Sequence, residues 1–489
     1  MTLTIQTIIG ASVITLLSAC GGSGGSNSSQ GVAASSTIAS QYQGTWLAQA
    51  YGRGLKIGAS KIEFFDYTSG FCLLENEESG VTTADIESIY LLEGDELVEF
   101  GGTGTASFSA PATRFRPANT LPTACQSGYT KQRGQPGYQE DAAADLWLFF
   151  QMLDEYSVSP EAAQVDIAQL YATVRETVPD QEDDAALTEA IYQLLLPLGD
   201  IHSSLVTPDS VVKLERKPTL VYLLLEEYLT LNAIEPPLSD AQVAAANAYI
   251  DSELARDTQV ALSYADGAAG VHRGANDQLA WFENAGVGYL AIYAMTDFAA
   301  SGDKEDQLSA LESALDAAIS DLRDVDALIV DVRRNGGGQD FLSLAIASRF
   351  VANPTLVYRK QARLGNARTA LQDVVIAPRG EVQYLGPVYL LTSHSTVSAA
   401  EAFTLAMREL PQVTLVGQPT QGAFSDVLEK HLTNGFEVTL SNEYYLSVDG
   451  QWFEGQGVPV DIAAPVFARA ARQEGIDAGI EVVLTALSP

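Results

Sequence analysis

The stretch "TSHSTVSAAEAFTLAM", Thr392 to Met407, sets Ser398 where the apolar, strand-like run "PVYLLTS" gives way to helix formers. A serine at such a turn is either a helix cap or a nucleophile. Glu401 stands three residues on, so "SAAE" also fits a capping box. A catalytic serine needs a base, and the base needs an orienting group. The chain holds four histidines: His202, His272, His394 and His431. His202 lies in "LPLGDIHSSL", where a helical pattern ends at Gly199-Asp200, and the late carboxylates are Glu443 and Glu454, the latter in "WFEGQGVPVDI". Three consecutive glycines, Gly336 to Gly338 in "RNGGGQD", let the backbone approach a ligand closely. Amides there and at the helix start after Ser398 suit an anion, such as the oxyanion of acyl transfer. The same glycines also fit a tight strand-to-helix turn without a ligand. These residues admit a Ser/His/acid hydrolase, but their spacing does not show that they meet.

The elements around them are α/β in pattern. From Gly286, "GVGYLAIYAM", "ALIVDVR", "PVYLLTS" and "VTLVG" read as strands. "DKEDQLSALESALDAAISDLRD" reads as an amphipathic helix with Leu308, Leu311, Leu315, Ile319 and Leu322 on one face. Parallel strands with crossover helices place an α/β domain at 286–470, with a tail or helix at 471–489. "EVTLSNEYYLSVDGQWF" reads as a hairpin turning at Asp449-Gly450. Residues 140–204 are helical in periodicity, with Leu187, Ile191 and Leu195 as one stripe, and 205–285 read as a partly helical connection. Short alternating runs such as "KIEFFDYT" make 41–130 a small β-rich domain.

The chain has 489 residues, 46% of them hydrophobic, which is a globular composition. Its 27 basic and 62 acidic residues give a net charge of −35, which repels nucleic acid and sets that partner aside. "TIIGASVITLLSAC" reads as a secretory h-region, so 1–19 is expected to be a signal peptide. "LSAC" followed by "GGSGGSNSS" resembles a bacterial lipoprotein signal, with Cys20 to be acylated and 20–40 a Gly/Ser tether. Gly21 is not the acidic residue associated with inner-membrane retention, so the expectation is a lipid anchor in an outer membrane, facing the periplasm. In an oxidising compartment Cys72 and Cys125 can pair as one disulfide. No CxxC or Cys/His spacing suggests a metal site, and no cofactor is expected.

"LGDIHSSL", "LIVDVRRNGGG", "TSHSTVSAAEAF", "VGQPTQGAFSD", "NGFEVTLSNEYYL" and "FEGQGVPVDI" occur in an order that resembles one superfamily of serine peptidases. It includes the C-terminal processing (tail-specific) peptidases, the tricorn protease core and the interphotoreceptor retinoid-binding protein. The resemblance implies a crotonase-like (ClpP-like) catalytic domain acting on protein or peptide substrates. It implies Ser398 as nucleophile, and Gly337 and Ala399 as oxyanion-hole amides. The tail-specific branch takes its base from a lysine after the "GxPTxG" turn, where this chain has Ala423; Lys430 lies beyond the motif. The tricorn-like branch uses a histidine ending the helical domain and a late glutamate, which match His202 and Glu454. With His202 on one domain and Ser398 and Glu454 on another, closure between them would gate the reaction. His394, near Ser398, matches no base of the family. Residues Leu205 to Ala285 show no carboxylate-binding loop of the PDZ type. The rivals are a non-catalytic ligand- or peptide-binding protein on the same scaffold and an acyl-CoA enzyme, the latter disfavoured by the acidic charge.

Overall fold

A computed structural model describes residues 37–99, 113–126, 128–267 and 270–488. The expected signal peptide and Cys20 lie outside the described residues. No helix among the described residues is long and apolar enough to cross a membrane.

The first element group is a seven-stranded antiparallel sheet. Its centre is the strand Gly44–Ala48, paired with Arg53–Ile57 on one side and Arg114–Ala118 on the other. In Lys61–Tyr67 the residues Ile62 and Phe65 are buried, and a bulge at Phe64/Phe65 breaks the alternation. A disulfide joins Cys72, which opens the edge strand Cys72–Ser79, to Cys125 of the short helix Thr123–Gln126.

Helices follow. Ala142–Tyr156 starts at Asp141, whose carboxylate accepts from the amides of Ala143 and Ala144. Its Leu146, Phe149 and Leu153, spaced by three and four, are buried with Leu187, Ile191 and Leu195 of the helix Asp184–Leu195.

The central sheet has seven strands, in the order His272–Gly274, Leu279–Asn284, Val287–Ile292, Ala327–Asp331, Val388–Thr392, Val413–Gly417 and Ile462–Ala463. From Val287–Ile292 onward neighbours run parallel, with Lys304–Leu322 and Ala399–Arg408 among the crossover helices. Ala327–Asp331 is buried at every position, which is why it reads as an unbroken apolar run ending in one carboxylate.

Two expectations are corrected. The central sheet does not begin at 286: His272–Gly274 and Leu279–Asn284 are its antiparallel edge. The turn into Val287 is Ala285-Gly286 with φ of 51° and 81°, a two-residue hairpin turn without the usual Asn-Gly or Asp-Gly signal. Nor do Glu437–Ser441 and Glu443–Leu446 belong to one hairpin. The first pairs with Val427–His431 and the second with Thr355–Leu364, and the Asp449-Gly450 turn closes only the bridge Leu446–Trp452.

Glu437–Ser441 also pairs with Ser204–Val206, the strand that directly follows His202. The end of the helical region is therefore stitched into a four-stranded sheet with strands from the C-terminal half.

Candidate active site

Ser398 heads the helix Ala399–Arg408 with φ 58° and ψ −128°. Such a positive-φ conformation, sparsely populated by residues with a Cβ, costs about 1–3 kcal/mol and persists where surroundings over-determine it. Here they do. The Ser398 amide donates to Ala423 O at 3.0 Å and the Val397 amide to Asn335 O at 3.1 Å. Thr396 Oγ1 donates to Val332 O at 2.8 Å. The Ser398 side chain makes no capping bond. The capping-box alternative fails for a second reason: Glu401 is fully buried and accepts the amides of Gly422 and Ala423, each at 2.7 Å. Burial pushes its carboxyl up to about 7. The serine is thus freed from the helix, while the glutamate fixes the loop opposite it.

Gly337 packs against that serine. A Cβ on it would lie 2.6 Å from Ser398 Cβ and 3.1 Å from the Ala399 amide nitrogen, and its φ is 102°. Only glycine fits there. Its own amide donates to Asn335 Oδ1 at 2.9 Å, so the expected oxyanion donor is engaged within its loop. Ala399 is the first residue of its helix, a position whose amide has no intrahelical acceptor.

His202 is buried. Its amide donates to Asp200 Oδ1 at 3.0 Å, and its carbonyl accepts from Thr439 Oγ1 at 2.7 Å. Its ring reaches the Ser425 backbone, while buried Nδ1 has no hydrogen-bond partner. Burial depresses its pKa, and the charges of Asp200 and Asp426 work against that effect. The ring is therefore neutral near pH 7, as a proton acceptor must be.

Glu454 is also buried, and its Oε2 accepts the Phe424 amide at 3.1 Å. Burial, then the charges of Asp200 and Glu401, hold its carboxyl well above the usual range.

One loop, Gly422 to Asp426, is thus the meeting place: Ser398 and Glu401 grip Ala423, Glu454 grips Phe424, and the His202 ring stands beside Ser425. Among the described residues no hydrogen bond joins Ser398, His202 and Glu454 directly to one another. Sequence reasoning missed the acids that face His202. Asp200 accepts from Ser159 and Ser203 hydroxyls at 2.5 and 2.6 Å and stands two residues before the histidine, which was the available signal. Asp426 is 2.8 Å from the buried ammonium of Lys360, which also meets Glu443 at 2.7 Å. Crowding by protein would raise Asp426, but Lys360 outweighs it and keeps the carboxylate ionised.

None of the competing bases has a hydrogen bond to the Ser398 side chain among the described residues. Ala423, in the position of the dyad lysine, is buried beside Ser398. Lys430 is committed to Asp66 at 2.7 Å and Gly52 O at 3.0 Å. His394 is held below its ordinary value by burial and by Lys217, and has no hydrogen bond to Ser398 among the described residues. His272 stacks on Trp281 at the sheet edge.

A parallel α/β sheet that presents a serine at a helix head, against a glycine-rich turn, defines the class of this domain. Residues 286–464, the greater part of the α/β domain, match the model of Peptidase family S41. The carboxy-terminal processing protease CtpA of Bacillus subtilis (strain 168) is 26% identical over 136 residues. That match spans 28% of this chain and 28% of the relative's length. A crystal structure from Parabacteroides merdae ATCC 43184, described as a peptidase, superposes with a TM-score of 0.55 at 23% identity, over 72% of this chain and 98% of the other. Mature CPAF superposes with a TM-score of 0.47 at 14% identity, over 68% and 94% of the two chains.

Proposed function

We propose that this protein is an exported serine peptidase, lipid-anchored through Cys20, that hydrolyses peptide bonds in protein or peptide substrates. Ser398 Oγ attacks the carbonyl carbon while His202 takes its proton, the C–N bond breaks as that proton goes to the leaving amine, and a water deprotonated by His202 then hydrolyses the Ser398 ester and returns the proton to Oγ. The Ala399 amide receives the oxyanion, joined by an amide of the Gly336–Gly338 turn once the substrate competes for it. Asp200 and the Lys360-held Asp426 supply the negative charge that steadies the imidazolium. Glu454, whose Oε2 accepts the Phe424 amide, fixes the loop backbone beside the histidine.

The observation that carries this reading is Ser398 held at positive φ, its side chain making no capping bond at a helix head and packed on Gly337. The missing Ser398–His202 hydrogen bond favours the rival, a binding protein on the same scaffold; catalytic bonds are, however, often loose before substrate arrives. Incubation of the purified chain with a mixed peptide library, read by mass spectrometry, separates the two. The peptidase reading predicts discrete cleavages absent with Ser398→Ala. Peptides that are retained but intact would favour the binder.

A further inference from the structure

Away from the Ser398 site, one group of side chains joins the N-terminal sheet to the C-terminal half. Asp66 is on the strand Lys61–Tyr67, Glu75 on Cys72–Ser79, and His431 ends the strand Val427–His431. We propose that Asp66, Glu75 and His431 bind one divalent transition-metal ion, zinc or manganese, at this seam.

One ligand atom from each residue lies within 4.8 Å of the other two, and His431 Nδ1 is 3.1 Å from Glu75 Oε1. Glu75 is the extra residue of the bulge between the two strands, skipped as the pairing passes from Phe64–Asn76 to Phe65–Leu74. Such bulges re-aim a side chain. The second observation is Asp66 itself, only 2% exposed. Its Oδ1 accepts from Lys430 at 2.7 Å, whereas Oδ2, fully buried, has no hydrogen-bond partner. Asp66 and Glu75 are nonetheless close enough for a side-chain hydrogen bond with each other. Two carboxylates this close disfavour each other's charge, and a bound cation would relieve that repulsion beyond what Lys430 does at Oδ1.

The surroundings suit a cation. A carboxylate that gives one oxygen to a metal commonly has the other held by a donor, which is the part Lys430 plays. Arg53 also bears on Asp66, while Glu429 and Glu437 stand on the strands beside His431 and add negative charge. One imidazole with two carboxylates favours zinc or manganese over calcium, which prefers an all-oxygen shell. Water would complete the coordination. The ion would clip the N-terminal sheet to the strand that leaves the Gly422–Asp426 loop, independently of whether Ser398 is a nucleophile.

The test is calorimetric titration of Zn2+, then Mn2+, into the untagged, chelator-stripped full chain, comparing wild type with His431→Ala and Glu75→Gln. His431 is about half exposed, so its replacement leaves the core intact, and thermal melts of both variants check folding. The proposal predicts one ion per chain, proton release on binding, and affinity weakened about tenfold or more in each variant. Absence of saturable one-equivalent binding would overturn it and leave a shared proton between Asp66 and Glu75. Binding unchanged in both folded variants would overturn it equally.

Discussion

Thr439 Oγ1 donates to the backbone oxygen of His202 at 2.7 Å, and the strands carrying Ser204 and Thr439 pair directly. The histidine is therefore held by the C-terminal half through backbone pairing as well as side chains. Closure of a helical domain onto a separate catalytic domain, expected from the order of motifs, does not describe this arrangement.

Thr439 bonds both His202 O and Ser204 Oγ, the latter at 2.6 Å. Thr439→Val should cost about 1–3 kcal/mol of stability by leaving these groups unpaired. It should also slow peptide hydrolysis with little change in KM, because it loosens the base rather than the substrate site. Denaturant midpoints and steady-state rates measure the two effects.

Gly337→Ala should be more damaging to activity. The new methyl would meet Ser398 Cβ at 2.6 Å, on a backbone with φ 102°. The loop or the serine must shift, and a displaced nucleophile or oxyanion donor costs about 100-fold or more in kcat. Circular dichroism should still report a folded chain.

The pH dependence follows from His202. Burial lowers its pKa, so the neutral, base-competent form persists below the ordinary histidine value of about 6.5. Activity should rise with pH through an apparent pKa below that value and be level by neutrality. Asp426 raises the histidine pKa, so Asp426→Asn should move this acidic limb to still lower pH while reducing kcat. A limb that moves upward would contradict the assignment of Asp426 as a charge facing His202.

Much of the scaffold was legible from the chain. "ALIVD" and the helix Lys304–Leu322 carry periodicities that burial alone explains, and both form where the pattern puts them. Leu279–Asn284 was harder to place, because its hairpin turn is Ala-Gly and tertiary pairing, not local turn chemistry, holds Ala285 at positive φ. At the site, the type and position of Ser398 were readable, but the role of Glu401 was not. "SAAE" looks like a capping box until a loop 21 residues on supplies two amides to the carboxylate. Asp426 and Lys360 are 66 residues apart, and their pairing is visible only once the strands are placed.

The most direct test is labelling of the purified chain with a fluorophosphonate probe, comparing wild type, Ser398→Ala and His202→Ala. Labelling of the wild type should be abolished in Ser398→Ala and lost or at least 100-fold slower in His202→Ala. Failure of a well-folded wild type to react, or labelling that survives unchanged in His202→Ala, would contradict the claim that His202 activates Ser398.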